Sequence, residues 1–145
     1  MTTRVLVADD DQSIRQLLGT IVRRERLNVD CVADGQEAIE RLREHDYGVI
    51  LLDLMMPRVD GFGVIEFLRT HPLKYKPVVL VISAYTDQRF RRVDPNIVAG
   101  VIRKPFEVAE LRDIVRLCVA GLDEVLAQKA GTATDTLDQN ASDVN

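Results

Sequence analysis

The sequence predicts an α/β fold: one five-stranded parallel sheet with helices on both faces. Three observations predict it. Short apolar runs rich in Val, Ile and Leu occur five times, at Val5–Ala8, Val29–Ala33, Val49–Asp53, Val78–Ser83 and Val98–Arg103. They lack the polar alternation of a half-exposed strand, as strands covered on both faces should. Amphipathic stretches separate them, and strand–helix alternation over 145 residues implies right-handed crossovers within a single sheet.

The first run follows Met1-Thr2-Thr3-Arg4 directly, so no signal peptide is expected. Ile14, Leu17, Leu18, Ile21 and Val22 then recur at helical spacing, and Asp11 suits the N-cap ahead of them. A second helix is read from Ala38, Ile39 and Leu42, and a third from Val64, Ile65, Phe67 and Leu68. The stretch before the fifth strand is a poor helix, with only Phe90 and Val93 apolar and Pro95 stopping it early. The last helix carries Leu111, Ile114, Val115, Cys118, Val119 and Leu122, and from Glu107 to Lys129 nothing interrupts it but Gly121. At ~1.5 Å per residue it reaches ~34 Å, more than a five-stranded sheet requires. Leu111, Val115, Cys118, Leu122 and Val125 form a heptad-like seam, widened by Leu126, that suits a weak homodimer or a partner. The competing reading is that Leu122, Val125 and Leu126 seal the bottom of the core.

Composition bounds the function classes. A hydrophobic content of 46% with 29% charged residues is that of a globular domain, and no apolar run approaches the ~20 residues of a membrane span. Net charge is −4, and three of those charges come from Asp135, Asp138 and Asp143 in a tail without Lys or Arg. Nothing suggests a nucleic-acid or membrane surface, and Arg89, Arg91 and Arg92 read as a solvated helix face. Cys31 and Cys118 fit apolar positions and read as buried free thiols, consistent with the cytoplasm. His45 and His71 lie in connecting segments and read as exposed bystanders. The expected organisation is a domain over 4–121, a helical overhang at 122–129 and a disordered tail at 130–145.

In open parallel sheets, functional residues gather at the carboxyl ends of the strands. Here those ends carry Asp9-Asp10-Asp11, Asp53, Ser83 and Lys104. Taken singly, each has an ordinary structural explanation. One acid can cap a helix, however, and this turn has three. Bringing Asp53 beside Asp9 and Asp10 would cost several kcal/mol unless a cation lay between them. A hard divalent ion with oxygen ligands resolves that cost, and magnesium suits best.

The segment Asp53-Leu54-Met55-Met56-Pro57-Arg58-Val59-Asp60-Gly61, after Val49–Leu52, resembles the phosphoacceptor segment of receiver domains in two-component response regulators. Val7-Ala8-Asp9-Asp10-Asp11, Val81-Ile82-Ser83-Ala84 and Lys104-Pro105-Phe106 extend the resemblance, in the family's order and spacing, over about Arg4 to Gly121. It implies a flavodoxin-like strand order of 2-1-3-4-5 and a stand-alone regulator of the chemotaxis type. It implies that Asp53 is phosphorylated and that one Mg2+ is bound, directly by Asp10, mostly through water by Asp9, and also by Asp53 and the Met55 backbone carbonyl. Ser83 and Lys104 would hold phosphoryl oxygens, Lys104-Pro105 would be a cis peptide, and Asp60-Gly61 would turn into the third helix. The donor would be a histidine kinase or histidine phosphotransferase docking at Ile14, Pro105 and Phe106, with an unknown downstream protein reading the signal. The module would not be an enzyme beyond self-phosphotransfer and self-dephosphorylation.

Two rivals are weighed. Asp9-Asp10-Asp11-Gln12-Ser13 also fits the Asp-x-Asp-x-Ser/Thr signature of haloacid-dehalogenase-like phosphohydrolases, with Asp9 as nucleophile. Those enzymes need a further acidic pair downstream of the lysine, whereas Lys104 is followed by an amphipathic helix, and that scheme gives Asp53-x-x-Met56-Pro57 no role. An unphosphorylated, receiver-shaped interaction module is the second, and it usually lacks one of the polar residues present here. The chain departs from the family at Val101, where an aromatic residue normally takes part in the switch.

Overall fold

The computed structural model describes residues 3–84 and 93–130, with side chains through residue 121. The expectations for Phe90, for the Arg89–Arg92 cluster, for Leu122, Val125 and Leu126, and for the tail from 131 onward lie outside these descriptions. The elements run β1 (Arg4–Ala8), α1 (Gln12–Arg24), β2 (Asn28–Val32), α2 (Gly35–Glu44), β3 (Val49–Leu52), α3 (Gly61–Thr70), β4 (Val78–Ser83), β5 (Val98–Arg103) and α4 (Val108–Ala130).

The strands form one parallel sheet in the order β2-β1-β3-β4-β5, the order the resemblance implied. Because successive side chains alternate across a strand, each central strand feeds two cores. Leu6, Ala8, Ile50, Leu52, Val79 and Val81 join the residues of α2 and α3 on one face. Val5, Val7, Val49, Leu51, Leu80 and Ile82 join those of α1 and α4 on the other. This explains why β1, β3 and β4 read as continuous apolar runs.

The edge strands differ from expectation. Neither β2 nor β5 is covered on both faces, and only Val32 in β2 and Val98 and Ile102 in β5 are buried. An edge strand has a neighbour on one side only, so alternate residues reach water. Cys31 is a free thiol but exposed, which corrects its reading as buried, while Cys118 is half-buried. His45 is also less exposed than expected, set edge-on to the Tyr47 ring at 6.3 Å. His71 is exposed and stacks on Phe67 at 4.4 Å.

The last helix has the predicted length, 23 residues. Its proposed seam is corrected at the start: Leu111 and Val115 are both 0% exposed and pack into the protein's own core. The sheet uses these positions, so no partner can. In α1, Leu18, Ile21 and Val22 are buried as the periodicity required, whereas Leu17 lies at the exposed margin of the stripe.

Candidate functional site

Asp9, Asp53, Ser83 and Lys104 are the last of their strands or the first beyond them, with Asp10 one residue further, and the sheet's own hydrogen bonds set three of them. The Asp9 N–H donates to the Val32 carbonyl (3.1 Å), that of Asp53 to Ala8 (2.9 Å) and that of Lys104 to Ser83 (3.0 Å). These bonds prolong the ladder by one rung, so backbone register aligns the residues at the carboxyl edge. The chain then turns sharply, with the Asp11 N–H on Asp9 Oδ1 at 2.9 Å. Asp11 caps α1, its Oδ1 accepting from the Ser13 and Ile14 N–H groups at 2.9 and 3.2 Å. Arg15 reaches back from α1 to the Asp9 carbonyl, also at 2.9 Å.

Asp9, Asp10 and Asp53 each present a carboxylate oxygen, all within 4.8 Å of one another. Asp9 is 0% and Asp53 5% exposed, while Asp10 faces solvent. At that separation two carboxylates repel by roughly 3 kcal/mol at an effective dielectric constant of ~20. Lys104 supplies the chain's own compensation, its Nζ lying 2.7 Å from Asp9 Oδ2 and 3.3 Å from Asp53 Oδ2. Burial, and then the charge of Asp9, push the Asp53 carboxyl above the usual aspartate range; Lys104 and the Met55 N–H offset this only in part. Burial pulls the Lys104 ammonium down, but the Asp9 and Asp53 carboxylates outweigh it and hold it above the ordinary lysine value.

Ser83 is 1% exposed, and among the described residues its Oγ has no hydrogen-bond partner. A buried hydroxyl without a partner costs about 1–3 kcal/mol, so an acceptor brought to this edge of the sheet would be rewarded. The donor set suits a hard cation: three carboxylates, two of them buried, with the Met55 backbone close by. The Met55 N–H donates to Asp53 Oδ1 at 3.2 Å, while its side chain is 57% exposed. Lys104-Pro105 is cis.

Around this centre lie Ile14 and Phe106, partly buried against the core of α1 and α4, and Pro105, which is exposed. Val101 stands 39% exposed on β5, paired in register with Val81. Asp60 caps α3 through the Gly63 N–H at 2.9 Å. Gly61 is required by close approach: a Cβ there would lie 2.4 Å from the Asp53 carbonyl oxygen.

Sequence reasoning missed one connection. Asp34 caps α2 and accepts from Arg58, at 2.9 Å from Nε and 2.7 Å from Nη2. The capping role was legible in Asp34-Gly35-Gln36-Glu37, a capping-box pattern whose Glu37 carboxylate returns to the Ala33 N–H at 2.9 Å. Its pairing with a residue 24 positions away left no local signal.

Among known proteins, the family model of the response regulator receiver domain matches residues 5–116. The transcriptional regulatory protein SrrA of Staphylococcus aureus is 39% identical over 83 residues, which is 57% of this chain but only 34% of that protein. The receiver domain of a Francisella response regulator superposes with a TM-score of 0.72 at 29% identity, covering 81% of this chain and 96% of that one. The response regulator TrrA of Thermotoga maritima, solved in complex with Mg2+ and BeF, gives a TM-score of 0.70 at 26% identity over 81% of this chain and 99% of that one. With the sheet order, the acidic edge and a family match over most of its length in agreement, the chain belongs to the response regulator receiver domains, the phosphoacceptor modules of two-component signal transduction.

Proposed function

We propose that Asp53 is the residue that accepts the phosphoryl group, from a phosphohistidine on a histidine kinase or phosphotransferase. The observation that carries this is the juxtaposition of three carboxylates within 4.8 Å with a buried Ser83 hydroxyl that has no partner among the described residues. An Asp53 carboxylate oxygen attacks phosphorus while the P–N bond breaks and its electron pair returns to the donor ring, which is protonated on its other nitrogen and so leaves as neutral imidazole, with an acyl phosphate formed on the receiver. Little covalent chemistry is asked of the protein, so positioning and charge neutralisation dominate. Lys104 leaves its place between Asp9 and Asp53 to pair with one phosphoryl oxygen, and the Ser83 hydroxyl donates to another.

Asp10, Asp53 and the Met55 carbonyl would hold one Mg2+, with Asp9 acting mostly through water, and the bound ion would neutralise charge on the transferring group. Two observations support the division between the first two acids. Both Asp9 oxygens already accept protein hydrogen bonds, from the Asp11 N–H and from Lys104, whereas Asp10 is exposed. The TrrA complex with Mg2+ and BeF supports the same cofactor for this chain. The engaged Asp9 carboxylate speaks against its use as a phosphatase nucleophile.

The donor docks across α1 and the segment after β5, at Ile14, Pro105 and Phe106, and a downstream protein then reads the phosphorylated surface. Self-phosphotransfer from small phosphodonors and slow self-dephosphorylation are the only catalysis assigned. We take 4–121 as the signalling domain, with the helix past 121 as an extension of it, and place the protein in the cytoplasm. Among the described residues, no helix is long and apolar enough to cross a membrane.

Mass spectrometry after incubation with acetyl phosphate and magnesium tests the central assignment. One added phosphoryl group is expected on the wild type and none on Asp53→Ala; stoichiometric addition to the variant would transfer the role to Asp9. Ile14→Ala should slow transfer from a cognate donor without slowing transfer from acetyl phosphate.

A further inference from the structure

The loop from Asp53 to α3 is anchored at both ends, and the reading above leaves its far anchor without a role. At the near end, the Met55 N–H meets Asp53 Oδ1 at 3.2 Å and the Gly61 N–H meets the Leu54 carbonyl at 3.0 Å. At the far end, Arg58 directs Nε and Nη2 onto Asp34 Oδ2, and the Val59 carbonyl accepts the Gly35 N–H at 2.8 Å. Gly35 permits backbone-to-backbone contact, since a Cβ there would lie 2.2 Å from the Val59 oxygen. Asp34 is 8% exposed, and its other oxygen holds the Glu37 N–H at 2.9 Å, so the Arg58 guanidinium is tied to a rigid helix start.

Arg58 has φ of 64°, a left-handed conformation unfavourable for a residue with a Cβ. Such a conformation persists where its surroundings over-determine it, and here the salt bridge and the adjacent Val59 contact do so. Only Met55, Met56 and Pro57 lie between Leu54 and Arg58, and Pro57 has a restricted φ. Displacement of Arg58 is therefore passed almost directly to Met55. Met55 is held at its own N–H by Asp53, but its exposed side chain adds no anchor on the carbonyl side; Met56, 8% exposed, is the buried side chain of the three.

We propose that Arg58 and Asp34 are positioning residues that clamp the β3–α3 loop and thereby present the Met55 carbonyl to the cation. This rests on the magnesium-dependent phosphoacceptor reading. Neither residue touches the acids; they act through the loop backbone.

Magnesium titration calorimetry on the full chain, paired with acetyl phosphate phosphorylation rates at increasing magnesium, tests it. Arg58→Ala should raise the magnesium dissociation constant about tenfold, in the range seen when groups supporting a metal ligand are removed. The rate at saturating magnesium should stay within about twofold of wild type, because the acceptor, Ser83 and Lys104 are untouched. Arg58→Lys should recover part of the affinity. Arg58→Gly relieves the positive φ, so it should melt no lower than Arg58→Ala yet bind magnesium as weakly, which separates the clamp from backbone strain. Arg116→Ala, which breaks the ion pair with Glu25 that joins α4 to the end of α1, should leave magnesium affinity unchanged.

Unchanged affinity in both Arg58→Ala and Arg58→Gly would overturn the proposal. So would an equal loss in Arg116→Ala, which would reduce the effect to general destabilisation. A wild type that binds no magnesium would bring down the functional reading itself, a result distinct from one in which wild type and variants bind alike.

Discussion

Asp34 and Asp53 both follow strands at the carboxyl edge of the sheet, and they are 8% and 5% exposed. Their carboxyl groups are nevertheless pushed in opposite directions. Burial raises both. At Asp34 the Glu37 N–H and the Arg58 guanidinium outweigh burial and hold the carboxyl below the usual range. At Asp53 the neighbouring charge of Asp9 adds to burial, and Lys104 with the Met55 N–H fails to cancel them. Asp34 has its charge neutralised by a partner of its own, whereas Asp53 shares one lysine with a second buried acid. The first arrangement stabilises a turn. The second leaves an ionised group in want of a cation, which suits a group whose partners are to be exchanged during phosphoryl transfer.

The contrast should be largest in chemistry. Asp53→Ala should abolish phosphoryl acceptance, while Asp34→Ala should retain it at saturating magnesium, both read by intact-mass analysis. Acceptance lost equally in a folded Asp34→Ala would break the division between the two acids.

The next largest effect should come from the shared lysine. Lys104→Met strands two buried acids, and losing one partner of a buried ion pair costs on the order of 3 kcal/mol. Chemical denaturation at neutral pH should show that loss, and added magnesium should reverse part of it. A variant as stable as wild type without magnesium would mean that Lys104 does not compensate these acids.

Asp34→Ala should cost about 1–2 kcal/mol through the lost helix cap and the lost ion pair. The native carboxyl lies below its usual 3.8, so this contribution is present above that value and disappears as pH falls through the native one. Wild type and variant melting curves should therefore converge in acid.

The smallest effect carries the opposite sign. Asp53→Asn keeps the shape and removes a charge whose native carboxyl is raised, so melting temperature at neutral pH should hold or rise slightly. With the native value above 3.8, the folded wild type binds more protons than the unfolded chain in the window just above it, and its stability falls as pH rises there. Any gain in the variant should appear across that window and vanish below 3.8. A variant less stable at neutral pH than in acid, relative to wild type, would reverse the assigned direction.

Three central strands, three capping aspartates and the order of polar residues along the carboxyl edge are readable from local pattern. Val5–Ala8 or Val49–Leu52 has to be buried on both faces because each residue is apolar, and Asp11 precedes a helical stripe with a side chain fit to cap it. Edge position is a different kind of fact. Cys31 lies between Asp30 and Val32 in a run read as a strand like the others, but β2 has only β1 beside it, and the Cys31 thiol is exposed. Leu111 and Val115 have the spacing of a partner seam, and whether they meet another chain or their own sheet depends on where α4 lies.

The sequence by itself determined which groups could do the chemistry, because carboxylates, a hydroxyl and a lysine at strand ends are local features of a one-dimensional pattern. Tertiary structure alone decided how each is partnered. Asp9 has both oxygens engaged, Ser83 Oγ has no partner among the described residues, and Arg58 reaches Asp34 across 24 residues. Charge interactions depend on distance in space and on the solvent excluded around them, and the folded chain sets both.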